Sequence, residues 1–255
     1  MMRSASVAWG VAQRNMRNLL KSPPLLVAPI LVPLFFYAAF TGALSVLGET
    51  KGFDYYDFTA FVFVFVLYMT SMLVGVFTAF DIAADYDSGI GSRFMLSAPR
   101  RMAIVSGYLI IAFGRGVLAV VVVWGVALVT GMPVRGDAGD IAALVSLALL
   151  LNVATALFGA GVALRFRSTA ANTLIMIPVF IVLFMTPVFA PRDQLSEWLE
   201  TVAGVNPLTA ALEAGRGFLA NDPVSSALAF IAAAGLVAVF YVWAVLGMRK
   251  AARSV

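Results

Sequence analysis

The chain has 255 residues, of which 62% are apolar and only 12% are charged, with a net charge of +4. Soluble domains carry about twice that charged fraction, so this chain cannot build the water-facing surface of a soluble domain. The absence of cysteine and histidine excludes disulfides, thiolate and imidazole metal sites, histidine-ligated haem and serine–histidine catalysis.

Apolar residues fall in six blocks, each long enough to cross a hydrocarbon core of roughly 30 Å. No block alternates with the period of two that barrel strands show, so we predict an all-α, polytopic membrane fold. A signal peptide is the alternative for the first block, but its length exceeds a typical apolar signal core and no convincing cleavage site follows. The predicted spans cover residues 25–47, 58–80, 103–130, 141–164, 171–190 and 225–247.

Lys and Arg residues indicate which way these spans run, because they are enriched in cytoplasmic segments. Six spans place both termini on one side. With the termini inside, twelve Lys and Arg residues lie in inner segments and four in outer ones, whereas three acidic residues lie inside and ten outside. The sequence therefore predicts cytoplasmic termini, and the net charge reflects this asymmetry rather than nucleic-acid binding.

Two cytoplasmic segments are predicted to be more than simple connections. Residues 4–21 place apolar side chains on one helical face and Arg14, Arg17 and Lys21 on another, which is typical of an amphipathic helix in the membrane interface. Residues 81–102 form an inner loop that is too long for a tight connection, and we expect a short helix across the membrane face there.

Arg115 is predicted to be the only ionisable residue deep in a span, about halfway along the third. A charge there costs roughly 2.5–3.5 kcal/mol, so a functional or partnered role is one interpretation. The other is that the helix begins near Val117 and that Arg115 extends its side chain to the interface.

The outer segment, residues 191–223, carries apolar residues at helical spacing on both sides of Asn206-Pro207. We predict two helices, broken at that pair, that enter the outer leaflet and return. Irregular backbone at membrane depth is tolerated only where protein or water covers it, so such a hairpin typically lines a cavity or gate.

The sequence also limits how the protein could be coupled to a source of energy. A nucleotide-binding P-loop needs a Gly-Lys pair, but Lys21, Lys51 and Lys250 follow Leu, Thr and Arg. If ATP drives this protein, a partner binds it. All carboxylates are predicted to lie in loops or at span ends, which argues against a self-contained proton- or sodium-coupled transporter.

Residues 186–216, TPVFAPRDQLSEWLETVAGVNPLTAALEAGR, resemble a segment of the permease subunits of type-2 ATP-binding-cassette (ABC-2) exporters, in particular the daunorubicin-resistance-like drug permeases. The family pattern is a PxxxLPxWL-like run, then NPLT, then an acidic residue shortly before Arg. Gln194-Leu195-Ser196 stands where the family often has Leu-Pro. The inner loop, with its acidic-x-x-x-Gly-x-x-x-Arg spacing, is similar to the coupling loop of the family.

The resemblance implies a single permease domain, residues 1–255, that pairs with a second copy or a related permease and binds cytoplasmic ATPase subunits. ATP and Mg would be held by those subunits, and this chain would bind no cofactor or metal. The residues implied to couple to the ATPase are Asp85, Gly89, Arg93, Pro99, Arg100, Arg101, Arg14 and Arg17. Those implied for the outer hairpin and gate are Trp198, Asn206, Pro207, Glu213 and Arg216. The alternative for the inner arginines is binding of anionic lipid headgroups.

The predicted function is therefore ATP-driven export of a hydrophobic drug-like or lipid-like substrate across a bacterial plasma membrane, as in multidrug export and antibiotic resistance. A channel or a non-catalytic membrane assembly factor is the alternative, because it would also lack ATP motifs. An intramembrane enzyme is disfavoured, since the chain has no histidine base and no predicted pair of carboxylates within the membrane.

Overall fold

The computed structural model describes residues 2–21, 24–49, 53–97 and 101–253, and the regular structure in these ranges is entirely helical. The predicted all-α class is thereby confirmed for this part of the chain. Short 3₁₀ helices cover Ser45–Glu49, Thr169–Ala171 and Arg192–Gln194. The α-helices are α1 (Met2–Lys21), α2 (Pro24–Ala43), α3 (Phe58–Asp87), α4 (Ile90–Ser97), α5 (Met102–Val129), α6 (Ala138–Phe166), α7 (Asn172–Phe184), α8 (Glu197–Val205), α9 (Pro207–Ala220) and α10 (Ser226–Ala252).

Four of these helices, α3, α5, α6 and α10, are long and apolar enough to cross a membrane. Helices α2 and α7 are apolar but shorter. The sequence predicted that the fifth span would reach residue 190, whereas α7 ends at Phe184. Pro187 explains the early end, because a proline lacks a backbone N–H and disfavours helical backbone in the residue before it.

Helix α3 is the centre of the bundle. Every residue from Ala60 to Val76 is buried, and α2, α5, α6, α7 and α9 all pack against this helix. It begins where the Asp57 side chain accepts a hydrogen bond from the Ala60 amide at 2.9 Å, which satisfies one of the free N–H groups of the first turn.

Helix α3 continues past residue 80, so the prediction of a loop from residue 81 is wrong for its first part. The buried side chains of Ile82, Ala83 and Tyr86 extend the packed face of the helix to its last turn. The chain then turns at Gly89, whose φ of +78° is a conformation that glycine adopts without strain. The short helix expected in this segment is α4.

Helices α3 and α6 approach each other so closely that their backbones touch. A Cβ atom on Gly75 would lie 2.2 Å from Thr155 Oγ1 and 2.4 Å from the Asn152 carbonyl oxygen. Asn152 Nδ2 donates to the Ser71 carbonyl at 2.9 Å, and Thr155 Oγ1 donates to the Met72 carbonyl at 3.1 Å. Small residues and hydrogen bonds between helices are the usual means of packing helices in lipid.

Helix α3 has 30 residues and therefore spans about 45 Å. The segments 53–57, 131–137 and 185–225 gather at the end where it begins. Helix α1, helix α4 and the turn between α6 and α7 gather at the end where it stops. Each end carries a cluster of polar side chains.

Candidate functional site

The first cluster joins α1 to the bundle at the end of α3. Helix α1 packs along α5, and it comes close because Gly107 has no side chain. A Cβ atom on Gly107 would lie 2.6 Å from the Ala8 carbonyl oxygen and 2.7 Å from Val11 Cβ. Backbone contact therefore sets the distance between the two helices.

Arg14 of α1 and Asp85 of α3 form a two-point ion pair at this contact. Arg14 Nη1 donates to Asp85 Oδ2 at 2.7 Å and Nη2 donates to Oδ1 at 2.8 Å. The Tyr108 hydroxyl of α5 also donates to Asp85 Oδ2, and the Phe94 ring of α4 lies 5.5 Å from the guanidinium carbon of Arg14. We call Arg14, Asp85, Tyr108 and Phe94 the Arg14 cluster; it connects four helices.

Asp85 is 8% exposed, so its charge depends on these partners rather than on water. The hydrogen bonds from Arg14 to this carboxylate raise the pKa of Arg14 above its usual value. The guanidinium thus stays charged at neutral pH, and its fork of N–H groups matches the carboxylate geometry.

The other residues predicted to couple to an ATPase are spread around this cluster. Gly89 forms the turn between α3 and α4, and both Arg17 and Arg93 are exposed. Arg101 Nη1 donates to the Ala252 carbonyl at the end of α10, at 3.2 Å. Pro99 and Arg100 lie outside the described residues.

Arg115 has a partner within the bundle, which the sequence left undecided. Its Nη1 atom lies 2.6 Å from Asp81 Oδ2, and the residue is 5% exposed. Helix α5 runs without a break from Met102, so the alternative of a helix that begins near Val117 is wrong. Asp81 was assigned to a loop because hydropathy places charged residues outside spans; the ion pair with Arg115 is what makes its position in α3 tolerable.

The Arg115–Asp81 ion pair and the Tyr108–Asp85 hydrogen bond lie along one seam between α3 and α5. Asp81 and Asp85 are four residues apart on α3, and Tyr108 and Arg115 are seven apart on α5, so each set lies on one helical face. Because Asp81 is neutralised by Arg115 at 2.6 Å, it is not the free carboxylate that ion-coupled transport needs. Although Asp81 lies in α3 and not in a loop, the chain is still predicted not to be a self-contained proton- or sodium-coupled transporter.

The second cluster lies at the end of the bundle where α3 begins, and the helices of the outer segment pack there. Helix α8 ends at Val205 and α9 begins at Pro207, as the Asn206-Pro207 pair indicated. Asn206 Oδ1 accepts from the Leu208 amide at 3.0 Å, while its Nδ2 atom donates to the carbonyls of Val182 and Met185 at 2.8 and 3.0 Å. Asn206 thus caps α9 and binds it to the end of α7.

Arg216 of α9 is buried at this end. Its Nε atom donates to the Phe61 carbonyl at 3.2 Å, its Nη2 atom donates to the Val188 carbonyl at 3.2 Å, and its guanidinium carbon lies 3.3 Å from the centre of the Phe61 ring. Burial lowers the pKa of Arg216 to about 9, which leaves the group charged at neutral pH. Glu213 is half-buried one turn earlier, and Trp198 is exposed on α8.

Sequence reasoning missed the tyrosines of both clusters. Tyr108 lies in an apolar run and resembles a core residue, with no local signal that it bonds to Asp85. The hydroxyl of Tyr55 donates to the Arg216 carbonyl at 2.8 Å, and that of Tyr56 donates to the Leu219 carbonyl at 3.1 Å. Burial raises the pKa of Tyr55 and of Tyr56, so both hydroxyls stay protonated donors. The adjacent pair Tyr55-Tyr56 is the one feature of the sequence that could have indicated a polar cluster at this end of the bundle.

A family model described as ABC-2 type transporter matches residues 7–220 of the chain. The chain belongs to the ABC-2 type transporter family. No curated protein matches it significantly.

In this ABC-2 type transporter chain, the match begins inside α1 and ends at the last residue of α9. It therefore includes the Arg14 cluster, the Arg115–Asp81 pair and the outer helices. The resemblance to ABC-2 permeases seen in the sequence is confirmed, and the chain is a multi-pass membrane subunit of the transport class.

Proposed function

We propose that this chain is the permease half of an ATP-driven exporter of the daunorubicin-resistance-like type, which moves a hydrophobic drug-like or lipid-like molecule out of a bacterial cytoplasm or inner leaflet. In this proposal a separate ATPase subunit holds ATP and Mg. The permease acts as a dimer with a second copy or a related chain. It has six spans and cytoplasmic termini.

The six-span arrangement is supported by the two shorter apolar helices. Helix α2 has 20 residues, Pro24–Ala43, which is about the length of an upright span. The apolar stretch that ends in α7, from Thr169 to Phe184, is a little shorter than that. The adjacent irregular segments supply the remaining length, which protein contacts in a bundle permit. The distribution of Lys and Arg supports a cytoplasmic position for α1 and the α3–α4 turn.

The observation that carries the coupling proposal is the Arg14–Asp85 ion pair. It connects an amphipathic surface helix to the central helix of the bundle, and the Tyr108 hydroxyl adds α5 to the same carboxylate. A force applied to α1 or α4 from the cytoplasm would thus reach α3 and α5 directly. The exposed Arg17 and Arg93 lie beside this connection and are available to a partner.

An apolar cavity supports a hydrophobic cargo. It has a volume of about 120 Å³ and lies where α3, α6, α7, α9 and α10 meet, with Met72, Val179 and Phe240 among its walls. Water finds few hydrogen-bond partners in an apolar cavity, so an apolar group can fill it without displacing hydrogen-bonded water. The cavity holds part of a drug or an acyl chain, and its Pro178 and Pro207 walls belong to helices α7 and α9.

The test is to purify the tagged chain from its host, identify co-purifying subunits by mass, and measure ATPase activity of the complex in vesicles. We expect an ABC ATPase whose activity rises when the permease is present. Arg93→Ala is expected to reduce that stimulation severalfold. Glu200→Ala is the control, because Glu200 is an exposed charged residue that lies at the other end of the bundle.

Substrate export without any ATPase subunit would contradict the proposal. Unchanged stimulation in Arg93→Ala would contradict the coupling role but leave the transport class intact. ATPase stimulation without export of any apolar dye or drug would favour the channel or assembly-factor alternative.

A further inference from the structure

A cavity of about 570 Å³ opens at the end of the bundle where α3 begins. We call it the outer cavity. Phe61 and Arg216 are buried in its wall beside the half-buried Tyr55, and Asp54, Asp193 and Asp222 lie at its exposed rim. Its volume falls within the roughly 300–1,000 Å³ of typical small-ligand pockets. It is separate from the apolar cavity and from the Arg14 cluster.

Three hydrogen bonds and one ring contact hold the walls of the outer cavity together. The Leu219 carbonyl accepts from the Tyr56 hydroxyl at 3.1 Å and from the amides of Arg135 and Gly136 at 3.2 and 3.1 Å. The guanidinium of Arg135 also stacks on the Tyr56 ring, 4.3 Å from its centre. The loop before α3, the α5–α6 connection and the end of α9 are thus joined at one carbonyl group.

Arg216 gives the buried part of the outer cavity its charge. The residue is 6% exposed, and its protein acceptors are two neutral carbonyls, on Nε and Nη2. Among the described residues no carboxylate lies within ion-pair distance of it. A buried charge is strongly destabilising unless an opposite charge or several hydrogen bonds compensate it. The unused Nη1 donors of this cavity-lining residue are suited to an incoming anion.

The rest of the cavity carries both signs of charge. Four carboxylates line it, from Asp54, Asp193, Glu213 and Asp222, together with the exposed guanidinium groups of Arg135 and Arg192. A simple anion would meet the four carboxylates, and a simple cation would meet the arginines. A molecule with one anionic and one cationic group satisfies both, and this arrangement rejects ligands that carry only one.

We propose that the outer cavity binds a phosphate–ammonium zwitterion, the chemistry of an ethanolamine phospholipid headgroup. The phosphate accepts hydrogen bonds from Arg216, since a guanidinium matches phosphate oxygens in geometry and charge. The ammonium group lies among the rim carboxylates of Asp193 and Asp222. Trp198 is exposed on the neighbouring α8, and exposed tryptophan is typical of the headgroup level of a membrane. This site is independent of which cargo is exported.

The experiment uses the delipidated full chain, with any subunits that co-purify, in detergent. It is titrated with phosphatidylethanolamine and with phosphatidylglycerol of the same short chain length, and bound lipid is counted by native mass spectrometry. We expect saturable binding of one phosphatidylethanolamine per chain. Phosphatidylglycerol, which lacks the ammonium group, should bind with an affinity that is lower by a factor of about ten or more.

Two variants separate the buried cation from the rim. Arg216→Gln is expected to weaken phosphatidylethanolamine binding about ten- to a hundredfold, because it removes a charged hydrogen-bond donor. Asp193→Asn with Asp222→Asn is expected to remove the preference over phosphatidylglycerol without unfolding the protein, since both residues are exposed. Glu200→Gln is the control: Glu200 is an exposed acidic residue on α8 that does not line the cavity.

Free phosphoethanolamine is the second probe. Displacement of the lipid by this soluble molecule assigns recognition to the headgroup alone, and lack of displacement assigns it to a membrane-borne ligand; both outcomes support the site. Equal binding of the two lipids to the unaltered chain would overturn the proposal. If Arg216→Gln does not fold, the rim variant decides: an unchanged lipid preference in Asp193→Asn/Asp222→Asn would overturn it as well.

Discussion

Replacement of Arg14 by glutamine removes the guanidinium that joins α1 to α3 and leaves the Asp85 carboxylate with the Tyr108 hydroxyl as its remaining partner. Hydrogen bonds to charged groups stabilise proteins by about 1.5–3 kcal/mol, and loss of one partner of a fully buried pair costs about 3–5 kcal/mol. The side chains of Arg14 and Asp85 are 29% and 11% exposed, so water screens the pair in part. We therefore expect a coupling energy of about 1–3 kcal/mol.

A double-mutant cycle measures that coupling. Arg14→Gln, Asp85→Asn and the double variant are purified in mild detergent, and the free energy of unfolding is obtained by titration with a denaturing detergent, followed by circular dichroism. The double variant should lose less stability than the sum of the two single variants. The difference is the free energy with which α1 is bound to α3 through this pair.

The control cycle pairs Arg17→Gln with Asp85→Asn. Arg17 is exposed on the same helix, so its effect should add to that of Asp85→Asn within about 0.5 kcal/mol. A coupling energy below about 0.5 kcal/mol for Arg14 and Asp85 would refute the reasoning, because the two side chains would then contribute independently and α1 would be held by apolar packing alone.

Three further predictions use the same unfolding measurement. Arg115→Leu should lower the free energy of unfolding by about 3 kcal/mol because it leaves the Asp81 carboxylate unpaired, and adding Asp81→Leu should restore part of that loss. If the losses of the two single variants simply add in the double variant, the pairing is contradicted. Gly75→Ala should lower the free energy of unfolding by about 2 kcal/mol or more, since its Cβ would overlap α6. The control is Gly125→Ala, which has no atom within 4 Å of the added Cβ and should be neutral or stabilise by up to ~1 kcal/mol; equal effects of the two variants would refute the close approach of α3 and α6. Asn206→Asp keeps the cap oxygen but loses both N–H donors to the end of α7, so it should lower the free energy of unfolding by about 1 kcal/mol, and Asn206→Ala by about 2 kcal/mol. An Asn206→Asp variant as stable as the unaltered chain would show that the hydrogen bonds to α7 contribute nothing.

Local signals predicted the helices well, because each is decided by residues close together in the chain. The break between α8 and α9 follows from an asparagine that caps and a proline that fits the first turn. Long apolar runs identified α3, α5, α6 and α10 by length alone. The early end of α7 was also encoded locally, in Pro187, but the apolar run beyond it concealed the stop.

Contacts between distant residues were less predictable. Arg115 attracted attention as an isolated charge, but nothing near it in the sequence indicates Asp81, which lies on another helix and looked like part of a loop. Asp85 and Arg14 were both chosen by resemblance to a family, and only the structure shows that they bond to each other. Tyr108 reads as a core aromatic residue. Its hydroxyl partner is decided by how α5 lies against α3.

The backbone contact between α3 and α6 determines which parts of the bundle can move. Thr155 and the Asn152 carbonyl already fill the space that Gly75 leaves open. A sliding or rolling motion of one helix on the other would push them against the larger side chains beside Gly75, so the two helices behave as one rod. Helices α2 and α7 adjoin this rod through side chains, which can change rotamer and repack. If the transporter alternates between inward-open and outward-open shapes, we expect α2 and α7 to move about this rod.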